Sequence, residues 1–598
     1  MRMGPRTVYT MLKESVAAYG SAAALHQPVG GKYETYTWPQ YETAVREIAA
    51  GLRQLGIRKG DIVALGSETR VEFYLADIGI MTTGAASAAM YSSSTPADQV
   101  KTLANCGAKM VLLENPKYWK LLMAAGGDRL PIKWALLTGF VEGVQSLAEI
   151  RDAGREAMLR DSQLFDQMQA EYGPADMAIL YLTSGATGEP KMVQVTHRAL
   201  TMNCDMGPGA VDIGPKDCTL AFLPSAHIAQ RVGIELLPMR MGVPVYFSES
   251  LARMPQEFKT VRPTMFLAPP RVWERIYASV STEVRKRSAI QQRIFWAALG
   301  IGSEGAKYRR SGKPIPAWLR SALKLADKMV LSKIRERFGG RMYVAISGAA
   351  PLSKQLGEFY EAICMPLTEG YGLTEGGIVC LNPAGAARLG SIGKPLAGVE
   401  VRLTEEKEIL LRSPSLASGY FNDPEASAQV FADGWLHTGD LGEIDADGFV
   451  YITGRKKEMI VSSNGKKVYP NRVEGLFKTE PLISQMILLG DKQPFVTALF
   501  TVNVPIAAAL KGMEAMSGKP PQEVVNAQPV LAEIKRVVAR ANKQLAPFEQ
   551  IRKFRILDRD FSQEAGELTP TMKVRRVKVI ENFRDHILEM YAGKEENV

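Results

Sequence analysis

Cysteine is scarce in this chain, and the few that occur form no ligand or disulfide pattern. The 598 residues include five cysteines, with no CxxC spacing and no Cys/His cluster. They are Cys106, Cys204, Cys218, Cys364 and Cys380. An odd number of scattered cysteines argues against a disulfide framework and against a structural zinc site. We therefore expect a protein of a reducing cytoplasm that has no structural metal.

Long apolar runs are also missing. Residues 78–97 carry no charge, but their serines, threonines and glycines make them a poor candidate for crossing a bilayer. The first 20 residues predict an amphipathic helix rather than a secretory signal, because they contain no continuous apolar segment. Together these features predict a soluble or peripheral protein.

The excess of positive charge is small for a chain of this length. Lysine and arginine number 73 against 63 aspartates and glutamates, which gives a net charge of +10. Basic residues are densest at 285–341 and again in a cluster at Lys573, Arg575, Arg576 and Lys578. Neither region interleaves basic with aromatic residues in the way that is typical of single-strand binding. We therefore expect no nucleic-acid partner.

The order of apolar segments predicts an α/β fold. Strand-like runs alternate with helical patterns over the first three quarters of the chain, as in residues 61–81, 178–203 and 341–363. This alternation is typical of parallel sheets covered by helices, which bind ligands at the glycine-rich turns that end their strands. From about Gly393, short strands and polar turns predict a small β-barrel-like subdomain. A compact α+β unit is expected after it.

A helical insertion at about 291–340 mixes apolar faces with many arginines and lysines. One interpretation is a solvated helical hairpin that packs on the sheet. The alternative is an interfacial patch that meets an anionic membrane and receives a lipid substrate. The sequence leaves both open.

Residues 181–191, YLTSGATGEPK, predict a loop that holds phosphate. The loop is not a P-loop, because Lys191 is followed by Met192 rather than by Ser or Thr. As glycines, Gly185 and Gly188 can adopt conformations closed to other residues, so that successive N–H groups can turn toward an anion. Hydroxyl donors come from Thr183, Ser184 and Thr187. Taken alone, the segment is equally well explained as an ordinary Gly/Ser turn.

Seven segments together resemble the signature of the adenylate-forming superfamily, and they occur in that family's order. They are YLTSGATGEPK with VTH (181–197), LPSAHIAQR (223–231), ISGAAPL (346–352), EGYGLTE (369–375), GWLHTGDLGEID (434–445), GRKKEMIV (454–461) and ELTPTMK (567–573). Residues 261–277, the helical insertion and the end of the seventh segment look most like bacterial long-chain fatty acyl-CoA synthetases.

The resemblance implies a two-step ligase. ATP would activate a medium- or long-chain fatty acid as acyl-AMP, and coenzyme A would then displace AMP. The alternatives are an acyl-AMP ligase that loads a carrier protein and a non-catalytic nucleotide- or lipid-binding homologue. The family also implies an AMP-binding N-terminal domain at 1–455, made of two α/β sheet subdomains and the barrel-like one, and a mobile C-terminal domain at 456–598.

The resemblance also assigns ATP-binding roles. The β- and γ-phosphates would be held by Thr183, Ser184, Gly185, Thr187, Gly188 and Lys191, and Mg²⁺ by Glu375. Thr374 would contact the α-phosphate. Adenine would stack on Tyr371 and approach the backbone at Gly348, Ala349 and Ala350, beside Glu369, Gly370 and Gly372. The ribose edge would be bound by Asp440, Ile452 and Arg455, since one carboxylate can accept hydrogen bonds from both ribose hydroxyls.

Three further roles are implied for the chemistry. Lys573 is the expected catalytic lysine, which bridges the substrate carboxylate and the α-phosphate as negative charge builds. His227 would lie near the carboxylate as a neutral imidazole. Lys457 is the expected hinge about which the C-terminal domain swings, and Gly465, Lys466 and Lys467 would then face coenzyme A.

The chain departs from the family pattern at three positions. Ala186 stands where Thr or Ser is usual, Met192 where Gly is usual, and Glu369 where Gln is usual. Loss of a hydroxyl at Ala186 would cost about 1–3 kcal/mol if that hydroxyl contacted phosphate. We expect Met192 to slow the loop. Because Lys191 and Glu375 are retained, activity with weaker ATP affinity is expected.

The cysteine pattern and the lack of a secretory or spanning segment predict a cytoplasmic protein, with peripheral contact at the inner face of the membrane as an open alternative. Oligomeric state is not determined by the sequence, and a homodimer is compatible with it. Chain length of the acid is also open, because it depends on packing between distant segments.

Overall fold

The computed structural model describes residues 4–183, 191–365, 367–513, 516, 519–569 and 572–592. Within these residues the chain forms two large mixed sheets, a smaller antiparallel sheet and a C-terminal unit with its own sheet. Helices cover both large sheets. This architecture confirms the predicted α/β fold class.

The first large sheet has nine strands among the described residues. Its inner strands are parallel, whereas antiparallel pairs form at both edges. In spatial order the strands are Lys394–Pro395, Gly377–Leu381, Leu367–Leu373, Val344–Ser347, Met265–Ala268, Thr219–Ala221, Val245–Phe247, Ala23–Val29 and Lys32–Thr37. The sequence predicted parallel sheets. The antiparallel edges differ because short connections let consecutive strands pair directly as hairpins.

The second large sheet has eight strands among the described residues and is antiparallel at one edge only. In spatial order they are Gly419–Tyr420, Lys191–Thr196, Met177–Thr183, Ala86–Met90, Ile62–Gly66, Met110–Leu113, Lys133–Leu136 and Gln145–Ser146. The phosphate-loop segment therefore connects two antiparallel strands. The next helix begins at His197, and the Thr196 side chain accepts a hydrogen bond from the N–H of Ala199.

The remaining sheets are smaller. The predicted barrel-like subdomain is an antiparallel sheet of Glu400–Leu403, Glu408–Arg412, Phe431–Ala432, Trp435–Ile444 and Val450–Arg455. A short pair, Ile460–Val461 with Lys467–Val468, follows it. The C-terminal unit has the strands Ile483–Leu489, Val496–Val502 and Ile551–Ile556.

Helices occupy most connections between strands. The α-helices are Val8–Tyr19, Trp38–Gln54, Val71–Thr82, Pro96–Cys106, Pro116–Ala124, Leu147–Arg160, Leu164–Ala170, His197–Asp205, Ile228–Gln230, Leu237–Met241, Met254–Val261, Pro270–Arg285, Ala289–Arg310, Ala317–Ala326, Ser332–Arg335, Lys354–Ala362, Pro424–Val430, Pro470–Gly475, Val504–Ala507, Pro521–Val525, Gln528–Asn542, Arg576–Asn582 and Arg584–Tyr591. Residues Arg231–Leu236 and Asp327–Leu331 are π-helical, and Gly127–Arg129, Gly207–Gly209, Glu336–Phe338 and Lys456–Glu458 form single 3₁₀ turns.

The parts of the chain before and after residue 455 have separate apolar cores. One large cluster joins both big sheets and includes Trp38, Tyr181 and Phe247. A different cluster, with Phe477 and Phe500, fills the C-terminal unit. The predicted boundary at 455 and 456 stays a prediction. Among the helices of the described residues, none has the length and apolarity that a membrane crossing requires.

Candidate active site

A deep cleft lies where the carboxyl ends of parallel strands in the first sheet meet the five-stranded sheet and the C-terminal unit. Its volume is about 2440 Å³, well above the roughly 300–1,000 Å³ of a pocket for one small ligand. Twelve of the predicted site residues line it: His227, Gly348, Ala349, Ala350, Glu369, Gly370, Tyr371, Gly372, Asp440, Ile452, Arg455 and Lys573. The fold thus gathers residues that are hundreds of positions apart.

Asp440 forms the centre of a polar group at one wall of the cleft. Its carboxylate accepts hydrogen bonds from the hydroxyl of Tyr371 (2.6 Å) and from Nε of Arg455 (2.7 Å). Arg455 is the cross-strand partner of Asp440, so strand pairing itself sets this contact. Burial, followed by the charge of Asp440, raises the pKa of Tyr371 well above its ordinary value. Each carboxylate oxygen keeps a free lone pair that a ligand hydroxyl can use.

The turn after the strand Val344–Ser347 forms the facing wall. Ala349 adopts a left-handed backbone with φ of 69°. A Cβ at Gly348 would meet only ordinary contacts at 3.7 Å and beyond, so the side of this turn facing the cleft is open. Gly372 differs, because a Cβ there would lie 2.6 Å from the carbonyl oxygen of Gly377. The hairpin therefore requires that glycine irrespective of any ligand.

Glu369 is buried beneath this turn rather than directed into open space. Its Oε1 accepts a hydrogen bond of 3.0 Å from the N–H of Leu352. Burial raises the pKa of Glu369 to about 7. The side chain consequently holds the turn that begins at Gly348. This is a structural contact beside the predicted adenine position.

The described ends of the phosphate loop are tied to the predicted metal ligand through an aromatic residue. Thr183 donates its hydroxyl to the carbonyl oxygen of Lys191 (2.7 Å), so this hydroxyl closes the hairpin. The ammonium of Lys191 lies 4.3 Å from the centre of the Tyr420 ring, and the Tyr420 hydroxyl donates to Oε1 of Glu375 (2.8 Å). The loop members Ser184, Gly185, Ala186, Thr187 and Gly188 lie outside the described residues.

Met192 is part of the strand Lys191–Thr196 and pairs with Leu182. Its half-buried side chain packs against an apolar cluster that includes Leu180 and Leu182, and its carbonyl oxygen accepts from the N–H of Phe421 (2.7 Å). A methionine at this position therefore fills the space between strand and core. Its predicted effect on loop motion stays a prediction.

His227 presents a neutral imidazole to the cleft. Its Nδ1 accepts a hydrogen bond from the N–H of Ala229 (3.1 Å), which leaves Nε2 as the protonated nitrogen. Burial lowers the pKa of His227 to about 3, and the positive charge of Lys573 adds to this effect. The ring is thus an uncharged hydrogen-bond donor at neutral pH.

Lys573 reaches the same cleft from the C-terminal unit. The turn that carries it is closed by hydrogen bonds in both directions between its backbone and Thr569. Desolvation, and next the positive charge of Arg455, lower the pKa of Lys573. The carboxylates of Asp440 and Glu375 act on the same ammonium with the opposite sign. The residue predicted for the first reaction step is therefore already at the cleft.

Some predicted residues do not line the cleft. Thr374 and Glu375 are half-buried in the turn after the strand Leu367–Leu373, next to the lining residues. Lys457 is exposed in the single turn Lys456–Glu458. Gly465 and Lys466 belong to the connection between two short paired strands, the second of which begins at Lys467, and none of the three lines the cleft.

Sequence reasoning missed the residues that hold the two sides of the cleft together. Lys478 donates to the carbonyl oxygen of Pro351 (2.8 Å), and Arg271 donates to that of Ser484 (3.0 Å). Tyr420, which links Lys191 to Glu375, was missed as well. Nothing in the local sequence marks these side chains, because each acts on a partner that is distant along the chain.

Two family models match this chain. The model described as AMP-binding enzyme matches residues 12–421, and the model described as AMP-binding enzyme C-terminal domain matches residues 457–595. The long-chain-fatty-acid–CoA ligase FadD15 of Mycobacterium tuberculosis (strain ATCC 25618 / H37Rv) is 33% identical over 571 residues, which cover 94% of this chain and 93% of the relative. The long-chain-fatty-acid–CoA ligase ACSBG2 of Gallus gallus is 29% identical over 628 residues, with coverage of 98% and 81%.

Solved structures support the fold. The anthranilate CoA ligase AuaEII in complex with anthranoyl-AMP matches with a TM-score of 0.71 at 19% identity, covering 97% of this chain and 98% of that one. The adenylation domain of a carboxylate reductase from Mycobacterium chelonae matches with a TM-score of 0.75 at 20% identity, covering 98% and 91%. Because one family model spans more than half of the residues and a second spans most of the C-terminal unit, the chain belongs to the AMP-binding enzyme family.

Proposed function

We propose that this chain activates a medium- or long-chain fatty acid with ATP and transfers the acyl group to coenzyme A. In the first step a carboxylate oxygen attacks the α-phosphorus, and pyrophosphate leaves. In the second step the thiol sulfur attacks the acyl carbonyl, and AMP leaves. The observation that carries the proposal is that Lys573 from the C-terminal unit and His227 from the first sheet line one cleft with Asp440 and Arg455.

The charges at the cleft suit the first step. Two anions, a carboxylate and a triphosphate, have to approach each other, so positioning and neutralisation of charge are the main tasks. Lys573 supplies a positive point charge that reaches both reactants, and Nε2–H of His227 donates to the carboxylate without adding charge. Asp440 accepts from the ribose hydroxyls while Tyr371 and Arg455 keep it in place.

Glu375 is the residue that we propose for Mg²⁺. A half-buried carboxylate close to Lys191 offers the hard oxygen that this ion prefers. No group of three or more His, Cys, Asp or Glu suited to a metal occurs among the described residues. That agrees with an ion held by one carboxylate together with substrate phosphates, since Mg²⁺ seldom requires an all-protein cage. When bound, it would screen the phosphates and polarise the α-phosphorus.

The cleft also has an apolar side where an acyl chain fits. Phe222, Leu251, Val272 and Tyr277 line it, between the strand ends and the helix Pro270–Arg285. Burial of methylene groups contributes about 0.8 kcal/mol each, so a longer chain gains affinity as long as the apolar surface continues. A fatty acid of this kind partitions into bilayers, and we include peripheral contact with the membrane in the proposal.

The test is a screen of pyrophosphate release across carboxylic acids of graded length and aromaticity, each with and without coenzyme A. We expect release with medium- and long-chain fatty acids, and formation of the thioester when coenzyme A is present. A clear preference for aromatic or very short acids would contradict the fatty-acid assignment.

The same screen separates the alternatives. Accumulation of adenylate with no thioester in the presence of coenzyme A would favour an acyl-AMP ligase that loads a carrier protein. Absence of any carboxylate-dependent pyrophosphate release would favour a non-catalytic homologue. Omission of Mg²⁺ should remove activity, and a Glu375→Gln variant should need a higher Mg²⁺ concentration than the parent chain.

A further inference from the structure

The positive charge of the whole molecule is concentrated in one segment. Residues 285–341 contain 15 lysines and arginines against three aspartates and glutamates, a net charge of +12. The complete chain carries only +10, so the remaining residues together carry −2. A segment of less than a tenth of the chain therefore accounts for the basic character of the protein. Such local concentration of one sign is an electrostatic feature of association rather than of folding.

The same segment exposes large apolar side chains in helical register. Trp318 and Leu325 are 66% and 60% exposed, and they lie two turns apart on the helix Ala317–Ala326. Met329 continues this row one turn later and is 43% exposed. On the preceding helix, Ala289–Arg310, Ile290 and Ile294 are exposed one turn apart. We call these five residues the apolar row.

The two helices form one element. A connection of six residues, 311–316, joins them, and Gly305 of the first approaches Leu323 of the second so closely that a Cβ would lie 2.9 Å from Cδ1. The first helix buries Phe295 and Ala298, and the second buries Leu319. The pair thus packs through other side chains, and the exposed apolar row is not needed for packing of the hairpin.

Basic side chains flank the apolar row without carboxylate partners. Arg320, Lys324 and Lys328 are exposed, and none of the three forms an ion pair within the described part of the chain. Asp327 is the one acidic residue between Arg320 and Lys328 in the sequence, and it forms an ion pair with Arg335 at 2.7 Å. Lys324 and Lys328 directly precede Leu325 and Met329, so ammonium groups surround the row where an anionic surface would meet it.

We propose that the helical pair 289–331 docks on an anionic lipid bilayer. Trp318, Leu325 and Met329 enter the boundary between headgroups and acyl chains, while Lys324 and Lys328 bind headgroup phosphates. An amphipathic helix with Trp and Leu on one face and a basic flank has the composition that lies in the plane of a bilayer interface. Each basic residue near an anionic surface adds to the attraction.

The helical pair lies close to the apolar side of the cleft, so docking on a bilayer would bring the cleft near the membrane. The helix Pro270–Arg285 lines the apolar side of the cleft at Val272, Tyr277 and Ala278, and it ends where the basic segment begins. At 1.5 Å per residue, Ala278 and Arg285 are separated by about 10 Å along the axis. A fatty acid leaving the bilayer would therefore have a short path to the cleft. The docking stands without the proposed function, but this use of it rests on that function.

The test measures binding of the full chain to vesicles of phosphatidylcholine, with and without phosphatidylglycerol. ATP, fatty acid and coenzyme A are left out. We expect sedimentation with the anionic vesicles only, and weaker binding as NaCl is added, because salt screens exposed charges. Replacing two lysines, Lys324→Gln with Lys328→Gln, should weaken binding by roughly fivefold for each residue. Replacing the apolar row at Trp318→Ser with Leu325→Ser should weaken it by about tenfold or more.

A matched control comes from exposed apolar residues elsewhere. Phe140 and Leu159 are 71% and 80% exposed, outside the helical pair. The double variant Phe140→Ser with Leu159→Ser should bind anionic vesicles as the parent chain does. All variants should release pyrophosphate with a short, water-soluble fatty acid at the parent rate, which shows that they are folded. With a long-chain acid supplied in anionic vesicles, only the variants of the helical pair should be slower.

Several results would overturn the docking. These are equal binding to neutral vesicles, unchanged binding by both helical-pair variants, and loss of binding in the control variant. Dissociation of a dimer on Trp318→Ser with Leu325→Ser would show that a second copy covers the row. If a short oligonucleotide, added at the same total negative charge as the vesicles, displaces the protein from them, the surface binds nucleic acid instead. If vesicles bind as expected but no acid supports pyrophosphate release, the proposed function fails and the docking remains.

Discussion

At the scale of single residues, the cleft combines groups whose charge states are set by burial. His227 is held neutral, with its pKa lowered to about 3, while Lys573 beside it has its pKa lowered by desolvation and by Arg455. An uncharged donor next to a cation suits a carboxylate that has to stay reactive. A second cation, such as a protonated imidazole, would also stabilise the ground-state carboxylate, and binding that is equal in both states does not accelerate the chemical step.

Replacement of Lys573 by alanine should separate the two half-reactions. We expect acyl-adenylate formation, measured by fatty-acid-dependent exchange of pyrophosphate into ATP, to fall by about 100-fold or more, because the charge that bridges carboxylate and α-phosphate is lost. Thioester formation from a supplied acyl-adenylate should be largely retained. The control is Lys578→Ala, whose side chain pairs with Glu581 on the surface. Equal loss of both half-reactions in Lys573→Ala would refute the role.

His197 makes stability depend on pH. It is completely buried, Nδ1 accepts from the N–H of Val8 (3.2 Å), and burial lowers its pKa to about 3. Between pH 6.5 and 3 the unfolded chain binds a proton at this residue that the folded chain does not, so stability falls as pH falls. The slope is about 1.4 kcal/mol per pH unit for one such group.

Comparison of urea unfolding at pH 7 and pH 5 would measure this slope. His197→Gln should reduce the difference between the two pH values, whatever its effect at pH 7. A His197→Gln variant that loses as much stability as the parent chain on acidification would contradict the assignment.

At the scale of elements, the segment after His227 is fixed by buried charge. Arg231 begins the π-helical stretch Arg231–Leu236 and donates through Nε to Asp77 (3.1 Å) and through Nη2 to Ser87 (2.8 Å). The Arg231 N–H also bonds to the carbonyl oxygen of His227 (3.1 Å). One guanidinium thus joins a helix, a strand and the segment that presents His227 to the cleft.

Removal of the carboxylate at Asp77 should be costly. Asp77→Ala removes the hydrogen-bonded counter-charge of the buried guanidinium of Arg231, and we expect it to lower the free energy of unfolding by about 3–5 kcal/mol. Urea unfolding at pH 7 measures this. The matched control is Glu400→Ala, which breaks the exposed pair with Arg412 and should cause no measurable change. A cost at Asp77 no larger than at Glu400 would show that water or another group reaches Arg231.

Apolar periodicity in the sequence predicts some of the strands and helices but not all of them. The strands Ile62–Gly66 and Val344–Ser347 and the helix Val71–Thr82 are where their apolar periodicity predicts them, because burial on a sheet face leaves a local pattern. The strand Lys191–Thr196 was not anticipated. Its pairing with Met177–Thr183 depends on a turn between them, and the sequence of one strand does not specify which other strand it pairs with.

At the scale of the whole molecule, the two units meet across the cleft through a small number of contacts. Lys478 and Arg271 each donate one hydrogen bond across it, and Lys456 pairs with Glu406 at 2.6 Å next to the predicted hinge. Lys573 lines the cleft in this arrangement, which is the one that the proposed first step requires. We propose that the C-terminal unit moves between the two steps, which so few contacts across the cleft would permit.

Replacement of Lys457 by proline should stop that motion. Proline fixes φ near −65° and restricts the preceding residue, so a hinge at this position could no longer change its backbone. We expect pyrophosphate release in a single turnover to continue and thioester formation to fall by at least about tenfold. Lys457→Ala, which keeps a free backbone, is the control and should form thioester as the parent chain does. Unimpaired thioester formation by the proline variant would rule out the hinge.

The sequence by itself determined the α/β class, the family and twelve of the residues that line the cleft, because local motifs such as EGYGLTE and GRKKEMIV keep their residues together in the chain. Only the tertiary structure decided that Thr183 closes a hairpin, that Glu369 holds a turn, and that Tyr420 joins Lys191 to Glu375. These contacts join segments that are distant in sequence. The free energy that selects them comes from burial and pairing across the fold, and no local pattern records it.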